Sequence, residues 1–272
     1  MDFYLKKASP LIVCGRPRAG TRFITNVLNS FPEVTLQGEI PDPVMRSLEM
    51  FIEDVDGYYR KRFETKPDVG EKQYGLWKDK KKAVFFSFWA GVSQAGRAQP
   101  GSACRFYGYK RPEHERFFDF YERHLVNDPP VYVYCVRNFV DNYLSIKSRW
   151  PARKIERVAD AYLTSIKWFL EQRKKHPARI LLFNLDDHIK HGFHYTESSV
   201  LQPLGLKVSA KQRSEFEKLG AVNRTEEDLG RKRRTELNLR EAAYVESRPD
   251  LAARFGCVCT SIADRGPAPN DE

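Results

Sequence analysis

The sequence is short of cysteine and has no long apolar run, and each shortage excludes a class of protein. Five cysteines (Cys14, Cys104, Cys135, Cys257 and Cys259) are scattered over 272 residues. Their number is odd, none forms a CxxC pair, and no histidine spacing completes a zinc set. Neither a disulfide framework nor a metal site is expected. Cys14 and Cys135 sit inside apolar, strand-like runs and read as buried reduced thiols, which fits a reducing, cytoplasmic setting. The longest apolar run, Ala83–Val92, is about half of what spans a bilayer. The residues before the first strand hold no apolar stretch long enough for a signal peptide, so neither a membrane span nor a leader is expected. Lysines 80–82, just ahead of the apolar run, read as a solvated charge face with a buried segment behind it. No internal repeat or low-complexity tract is visible. Only residues 264–272 (DRGPAPNDE) have the composition of a disordered tail.

Acidic residues are outnumbered, 36 against 46 Lys and Arg, for a formal net charge of +10. Such an excess calls for an anionic ligand or surface. It does not choose among nucleic acid, a membrane face and a small phosphorylated molecule. With 41% hydrophobic residues a sizeable core can form, and the length suits one large domain, expected over 1–263. Short apolar runs alternate with helical patterns, which predicts an α/β fold: three layers, α/β/α, around a central parallel sheet. Strands are predicted at Leu11–Cys14, Arg105–Tyr109, Val131–Val136 and Ile180–Phe183. The third, VYVYCV, is β-branched and aromatic throughout, as a strand covered on both faces should be. An apolar stripe from Ile155 to Leu170 predicts a helix, and a second helix is predicted over about Val44–Val55. Residues 57–104 are rich in Tyr, Phe, Lys and Gly with weak periodicity. They read as an insertion over the sheet rather than a separate domain.

The first predicted strand leads into Gly15-Arg16-Pro17-Arg18-Ala19-Gly20-Thr21-Arg22 and then into a helical pattern, FITNVLNSF. A strand, a loop with glycines and basic residues, and a helix start together make an anion cradle. Gly15 and Gly20 let the backbone approach closely, and N–H groups at the helix start point at the anion. Gly15 and Gly20 have the spacing of the nucleotide-binding P-loop, GxxxxGK[ST]. Thr21 and Arg22 stand where that motif needs Lys and then Ser or Thr, so ATP-dependent phosphoryl transfer loses its main support.

The loop resembles the 5′-phosphosulfate loop of sulfotransferases that use 3′-phosphoadenosine 5′-phosphosulfate (PAPS), Pro-Lys/Arg-Ser/Gly-Gly-Thr followed by a helix. This resemblance implies a fold like that of P-loop nucleotide enzymes. It also implies PAPS as co-substrate, adenosine 3′,5′-bisphosphate as product, and no metal. It assigns Arg16, Pro17, Arg18, Ala19, Gly20 and Thr21 to the nucleotide, with Arg18 on the bridging oxygen and the transferring sulfuryl group. The Gly-Thr-Arg form is similar to that of heparan-type carbohydrate sulfotransferases, which adds Arg22 as a phosphate ligand.

A second motif follows the third strand. Arg137 closes VYVYCV and Ser145 lies eight positions on, resembling the family's 3′-phosphate motif. An Arg fork at a strand's C-terminal end and a helix hydroxyl two turns later can converge on one phosphate. Asn138 also resembles the family pattern, but the usual following Pro is replaced by Phe139. Downstream, Arg179–Asp187 resembles a strand ending in an acidic turn, and Val200–Leu206 resembles the helix and Leu-Gly-Leu that follow it. The resemblance extends thinly from Pro10 to about Gly256. The family's late basic contact would fall on Arg224 or the run Gly230–Arg234, with Arg231 as the candidate.

Sulfuryl transfer needs a base for the acceptor hydroxyl, positive charge on the sulfuryl oxygens and an in-line arrangement. One family pattern places a Glu after the first helix, and Thr35-Leu-Gln-Gly-Glu39 fits it, so Glu39 is the first candidate. A surface carboxylate, or an ion-pair partner of a basic residue, is the alternative. Small-molecule sulfotransferases instead resemble Lys-Thr-His after an interior strand. Here Lys110 keeps its place and could polarise the sulfuryl group, but Pro112 takes the His position. His114, two residues late, is either a catalytic group or the start of the next helix. The acceptor implied is a hydroxyl, less often an amine, of a carbohydrate or small metabolite, and the basic excess then needs no nucleic acid. A P-loop phosphotransferase and a non-catalytic polyanion-binding module are the rival readings.

Overall fold

The computed structural model describes residues 7–92, 101–218 and 234–263. A five-stranded parallel sheet, ordered β2-β3-β1-β4-β5 and flanked by helices, forms the centre. Its strands are β1 (Ser9–Gly15), β2 (Val34–Gln37), β3 (Phe106–Lys110), β4 (Val131–Val136) and β5 (Ile180–Asn184). This is the α/β architecture that the alternating pattern predicted. The chain folds as two compact units, Met1–Val13 with Thr25–Tyr132 and Cys14–Ile24 with Val133–Glu272.

In the first unit, β3 pairs with β1 (Ser9 opposite Phe106) and with β2 (Val34 opposite Phe106). Helix α1 (Thr21–Asn29) precedes β2, and its Asn29 takes both polar groups of Leu36. Helix α2 (Asp42–Thr65) then packs on α3 (Pro67–Val92). The predicted helix over Val44–Val55 is therefore ten residues longer at its C-terminal end. Residues 57–92, which showed weak periodicity, are helical apart from the joint at Lys66. The stripe that buries α3 is Trp77, Lys81, Phe85 and Trp89, spaced four apart. A lysine inside that stripe hides it from a hydrophobicity pattern. Lysines 80–82 are thus not a uniformly solvated face: Lys81 is buried and ion-paired with Asp56 of α2, and Lys82 pairs with Asp128. Asp56 also accepts hydrogen bonds from Trp77 Nε1 and Arg60 Nη2, each at 3.0 Å. Burial alone would raise its carboxyl, but the bonds from Lys81 and Trp77 hold it below the usual carboxylate range. The Trp89 ring lies against Tyr109 and Tyr121, with centroids 5.1 and 5.8 Å away.

In the second unit every residue of β5, and all of β4 after Val131, is buried. Helix α4 (Phe118–His124) still belongs to the first unit, while α5 (Phe139–Arg149) and α6 (Ile155–Lys175) follow β4 in the second. The predicted stripe on α6 packs as expected. Phe169 stacks on Tyr134 at 4.5 Å, and the Tyr134 hydroxyl bonds Ser165 Oγ at 2.7 Å. Asn138 caps α5 by accepting from Asp141 N, and Asn184 caps α7 (Leu185–His191) by accepting from Asp186 N. Cys14 and Cys135 are buried, as their apolar surroundings predicted. Among the described residues no helix is long and apolar enough to cross a membrane.

Candidate functional site

The loop after β1 is held tightly by its backbone. Gly15 has φ 108°, and a Cβ there would stand 2.1 Å from the Cys135 carbonyl oxygen. Only glycine fits against β4 at that point. Arg16 N donates to the same oxygen at 3.2 Å, and Ala19 N donates to Arg16 O at 3.3 Å, closing a four-residue turn over Pro17 and Arg18. Arg18 sits at φ 67°. For a side chain other than glycine, this left-handed backbone costs on the order of 1 kcal/mol or more, and such costs gather at functional sites. Gly20, at φ 90°, brings the chain into α1, with Phe183 filling the space that a side chain would need. The first N–H groups of α1 have no acceptor within the helix and carry the positive end of its dipole.

Helix α5 supplies the other half of the site. Arg137 leaves the end of β4 with its carbonyl oxygen held by the Tyr162 hydroxyl at 2.8 Å. Its guanidinium is nearly buried between two carboxylates, Asp141 at 3.4 Å and Asp186 at 3.7 Å. At those distances Nε, itself buried, has no hydrogen-bond acceptor. Asp186 accepts from Asn138 N at 2.6 Å and from Asn138 Nδ2 at 2.9 Å. Burial pushes its carboxyl up, against the pull of those bonds and of the Arg137 charge. Two turns along α5, Ser145 Oγ accepts from Arg18 Nε at 3.0 Å. One turn nearer, the wholly buried Asn142 donates from Nδ2 to the Pro17 carbonyl at 2.8 Å. On another side of α5, the Tyr143 hydroxyl bonds Glu241 Oε1 at 2.5 Å, and Arg234 makes a forked pair with the same carboxylate. Burial alone would raise the Glu241 carboxyl, but the bonds from Arg234, Tyr143 and Asn238 N bring it down to about 2.

The first unit holds both base candidates, Glu39 and His114, and also Lys110. Glu39 follows β2 and Lys110 ends β3, and their side chains form an ion pair. Beside them Arg111 binds Asp42 and the Ile40 carbonyl, and Arg116 also pairs with Asp42. His114 begins a 3-10 turn (His114–Phe117) and is wholly buried. It is bonded to the Tyr109 hydroxyl and packed against Phe117 and Tyr121. Burial pushes its imidazole down to about 3, so it is neutral at physiological pH. A separate cavity of about 680 Å³ opens among Glu53, Lys81, Arg123, His124 and Asp128. Glu53 is eleven residues along α2 from Asp42, or roughly 16 Å at the helical rise. None of the base candidates lines this cavity.

The structure therefore gathers Arg16–Thr21, Arg137 and Ser145 in one unit and pairs Glu39 with Lys110 in the other. Arg224 and Arg231 lie outside the described residues. Asn142 and Asp186 escaped sequence reasoning. Nothing local marks them, because their partners are 125 and 48 positions away. The chance to find Asp186 lay in the acidic turn after β5, which the sequence showed without a partner.

No protein-family model matches the chain, and no curated protein matches it in sequence. Solved structures do. The sulfotransferase STF9 from Mycobacterium avium is 12% identical over 92% of this chain and 76% of that one, with a TM-score of 0.51. The sulfotransferase domain of the Synechococcus PCC 7002 olefin synthase is 16% identical over 76% of each chain, with a TM-score of 0.45. The sulfotransferase domain from the curacin biosynthetic pathway is 14% identical over 75% of this chain and 76% of its own, with a TM-score of 0.43. The likeness to the Mycobacterium avium protein establishes the architecture: the chain has the α/β fold of a sulfotransferase.

Proposed function

We propose that the chain is a PAPS-dependent sulfotransferase, a single domain over 1–263. It would move a sulfuryl group to a hydroxyl, or less often an amine, of a carbohydrate or small metabolite. The observation that carries this reading is the meeting of the two phosphate motifs in one unit, Arg18 Nε on Ser145 Oγ at 3.0 Å. PAPS supplies an activated sulfuryl group and leaves as adenosine 3′,5′-bisphosphate. The chain's own residues have separable tasks. The turn over Pro17 and Arg18 and the start of α1 hold the 5′ end, with Arg22 as a further phosphate ligand. Arg137, with its buried Nε, and Ser145 hold the 3′-phosphate. Arg18 adds charge where negative charge grows in the transition state. Glu39 takes the acceptor proton, and Lys110 restrains Glu39 and polarises the sulfuryl oxygens. His114 is assigned to the aromatic core, since its ring is enclosed by protein. The buried thiols Cys14 and Cys135 suit a reducing, cytoplasmic setting.

Calorimetric titration tests the reading, with adenosine 3′,5′-bisphosphate as ligand and ATP–Mg²⁺ and duplex DNA as controls. Binding of the bisphosphate alone is expected. Preference for ATP would return the chain to the phosphotransferases, and binding of DNA alone to the polyanion-binding modules.

A further inference from the structure

The turn that carries Arg18 is of an unusual kind for its sequence. It closes through Ala19 N on Arg16 O, so Pro17 and Arg18 are its two central residues. Proline at the first central position excludes the mirror-image turns, since its ring fixes a negative φ. With Arg18 at φ 67°, the remaining choice is type II, whose second central position normally takes glycine or asparagine. A Pro-Arg pair would ordinarily settle into type I, with both central φ values negative. The two types differ by a flip of the peptide between the central residues, and so by the direction of the Pro17 carbonyl.

That carbonyl is the group Asn142 binds. Asn142 Nδ2 reaches Pro17 O at 2.8 Å from a wholly buried position on α5. The peptide on one side of Arg18 is thus tied by Asn142, and the peptide on the other side by Arg16 O. Between the two, Arg18 has little choice of backbone conformation, and its Nε falls on Ser145 Oγ. We propose that Asn142 is a positioning residue, which selects the flipped peptide of the 16–19 turn and thereby aims the Arg18 guanidinium. The side chain has a second consequence. Asn142 lies between Asn138 and Ser145 on α5, so one helix fixes both the backbone and the side chain of the arginine.

The catalytic part of this proposal rests on the sulfotransferase reading; the conformational part does not. Asn142→Leu keeps the branching at Cγ and removes the donor, and Asn142→Asp keeps the shape and substitutes an acceptor. Crystal structures of both variants are expected to show Arg18 with a negative φ and its Nε away from Ser145. In turnover, each variant is expected to lose about tenfold in kcat with a smaller change in KM for PAPS. In an Arg18→Ala background the same substitution is expected to change kcat by less than about twofold, the non-additivity of residues acting through one another. A merely structural role would instead give additive losses. Should Asn142→Leu not fold, Asn142→Asp carries the comparison. Arg18 retained at positive φ against Ser145 in the variants overturns the proposal, as do additive losses. A wild-type chain without PAPS turnover overturns the sulfotransferase reading, and the Arg18 backbone in the variants still decides the role of Asn142.

Discussion

Arg18 Nε donates to Ser145 Oγ at 3.0 Å across 127 positions of sequence. A hydroxyl that accepts from a guanidinium can still donate its own proton to a third group. The pair therefore links the loop after β1 to α5, the two segments to which the proposed function assigns the phosphates. An oxygen that bonds Ser145 would at once lie in the field of Arg18.

Arg137→Ala is expected to lose tenfold to hundredfold in affinity for adenosine 3′,5′-bisphosphate while the fold survives. Charge-assisted bonds of this kind contribute roughly 1.5–3 kcal/mol. The substitution also exposes the ligand to Asp141 and Asp186 without the cation between them. Ser145→Ala should weaken binding less, because a neutral hydroxyl is the poorer partner. Calorimetry checks both, and an unchanged Kd in Arg137→Ala would remove the 3′-phosphate assignment.

Arg18→Ala is expected to slow transfer more than it weakens product binding, since its partner is charge that develops in the transition state. Arg18→Lys should keep part of the rate, with a point charge in place of a fork. Single-turnover rates set beside product affinities decide. Equal losses in both would make Arg18 a phosphate ligand and nothing more.

Glu39→Gln is expected to lower turnover by roughly 10²–10⁴-fold, the range for removal of a general base. Its melting temperature should hardly move, because the side chain is half exposed and its ion pair contributes little. His114→Ala should do the reverse, costing about 3 kcal/mol of stability by emptying a buried aromatic site. Activity per folded molecule should survive. A stable but inactive His114→Ala, alongside a near-normal Glu39→Gln, would exchange the two assignments.

Acid should weaken the second unit through Glu241. Its folded pKa of about 2 lies below its ordinary value of 4.5, so the unfolded chain takes up the proton first as pH falls. The stabilisation is complete above about pH 4.5 and is lost as pH drops toward 2. Urea unfolding of Glu241→Gln should show a deficit on the order of 3 kcal/mol at pH 7, given the side chain's burial. The deficit should shrink below pH 4.5. A deficit that stays constant down to pH 2.5 would show that the ion pair with Arg234 is not its cause.

Gly15→Ala is expected to prevent folding of the loop, since the new methyl would stand 2.1 Å from the Cys135 carbonyl oxygen at a positive φ. Circular dichroism and expression level suffice to see it. A variant that melts like wild type would mean that Gly15 is not held against the Cys135 carbonyl.

Much of this molecule could be read where chemistry and position coincide along the chain. VYVYCV can hardly be anything but a covered strand, and the Arg137–Ser145 spacing marks two candidate ligands, one at the end of that strand and one on the helix after it, without tertiary information. Strand β2 was harder, because VTLQ is four residues long and half polar. Helix α3 was hidden because Lys81 stands in its buried stripe, and only the structure shows the Asp56 carboxylate waiting for it. Asn142 is ordinary in sequence, an amide in the middle of a helix, where amides more often cost than help. Its meaning depends on a proline carbonyl 125 positions earlier, and no local pattern carries that.

The buried pair of Lys81 and Asp56 has a bearing on how α2 and α3 find each other. Apolar ridges alone would tolerate α3 sliding along α2 by one turn, about 5.4 Å, with leucines and aromatics meeting new but acceptable neighbours. The charges would not. A slip of that size strands an ammonium and a carboxylate in apolar surroundings, and uncompensated buried charge costs several kcal/mol. The pair thus favours one alignment of the two helices over its neighbours.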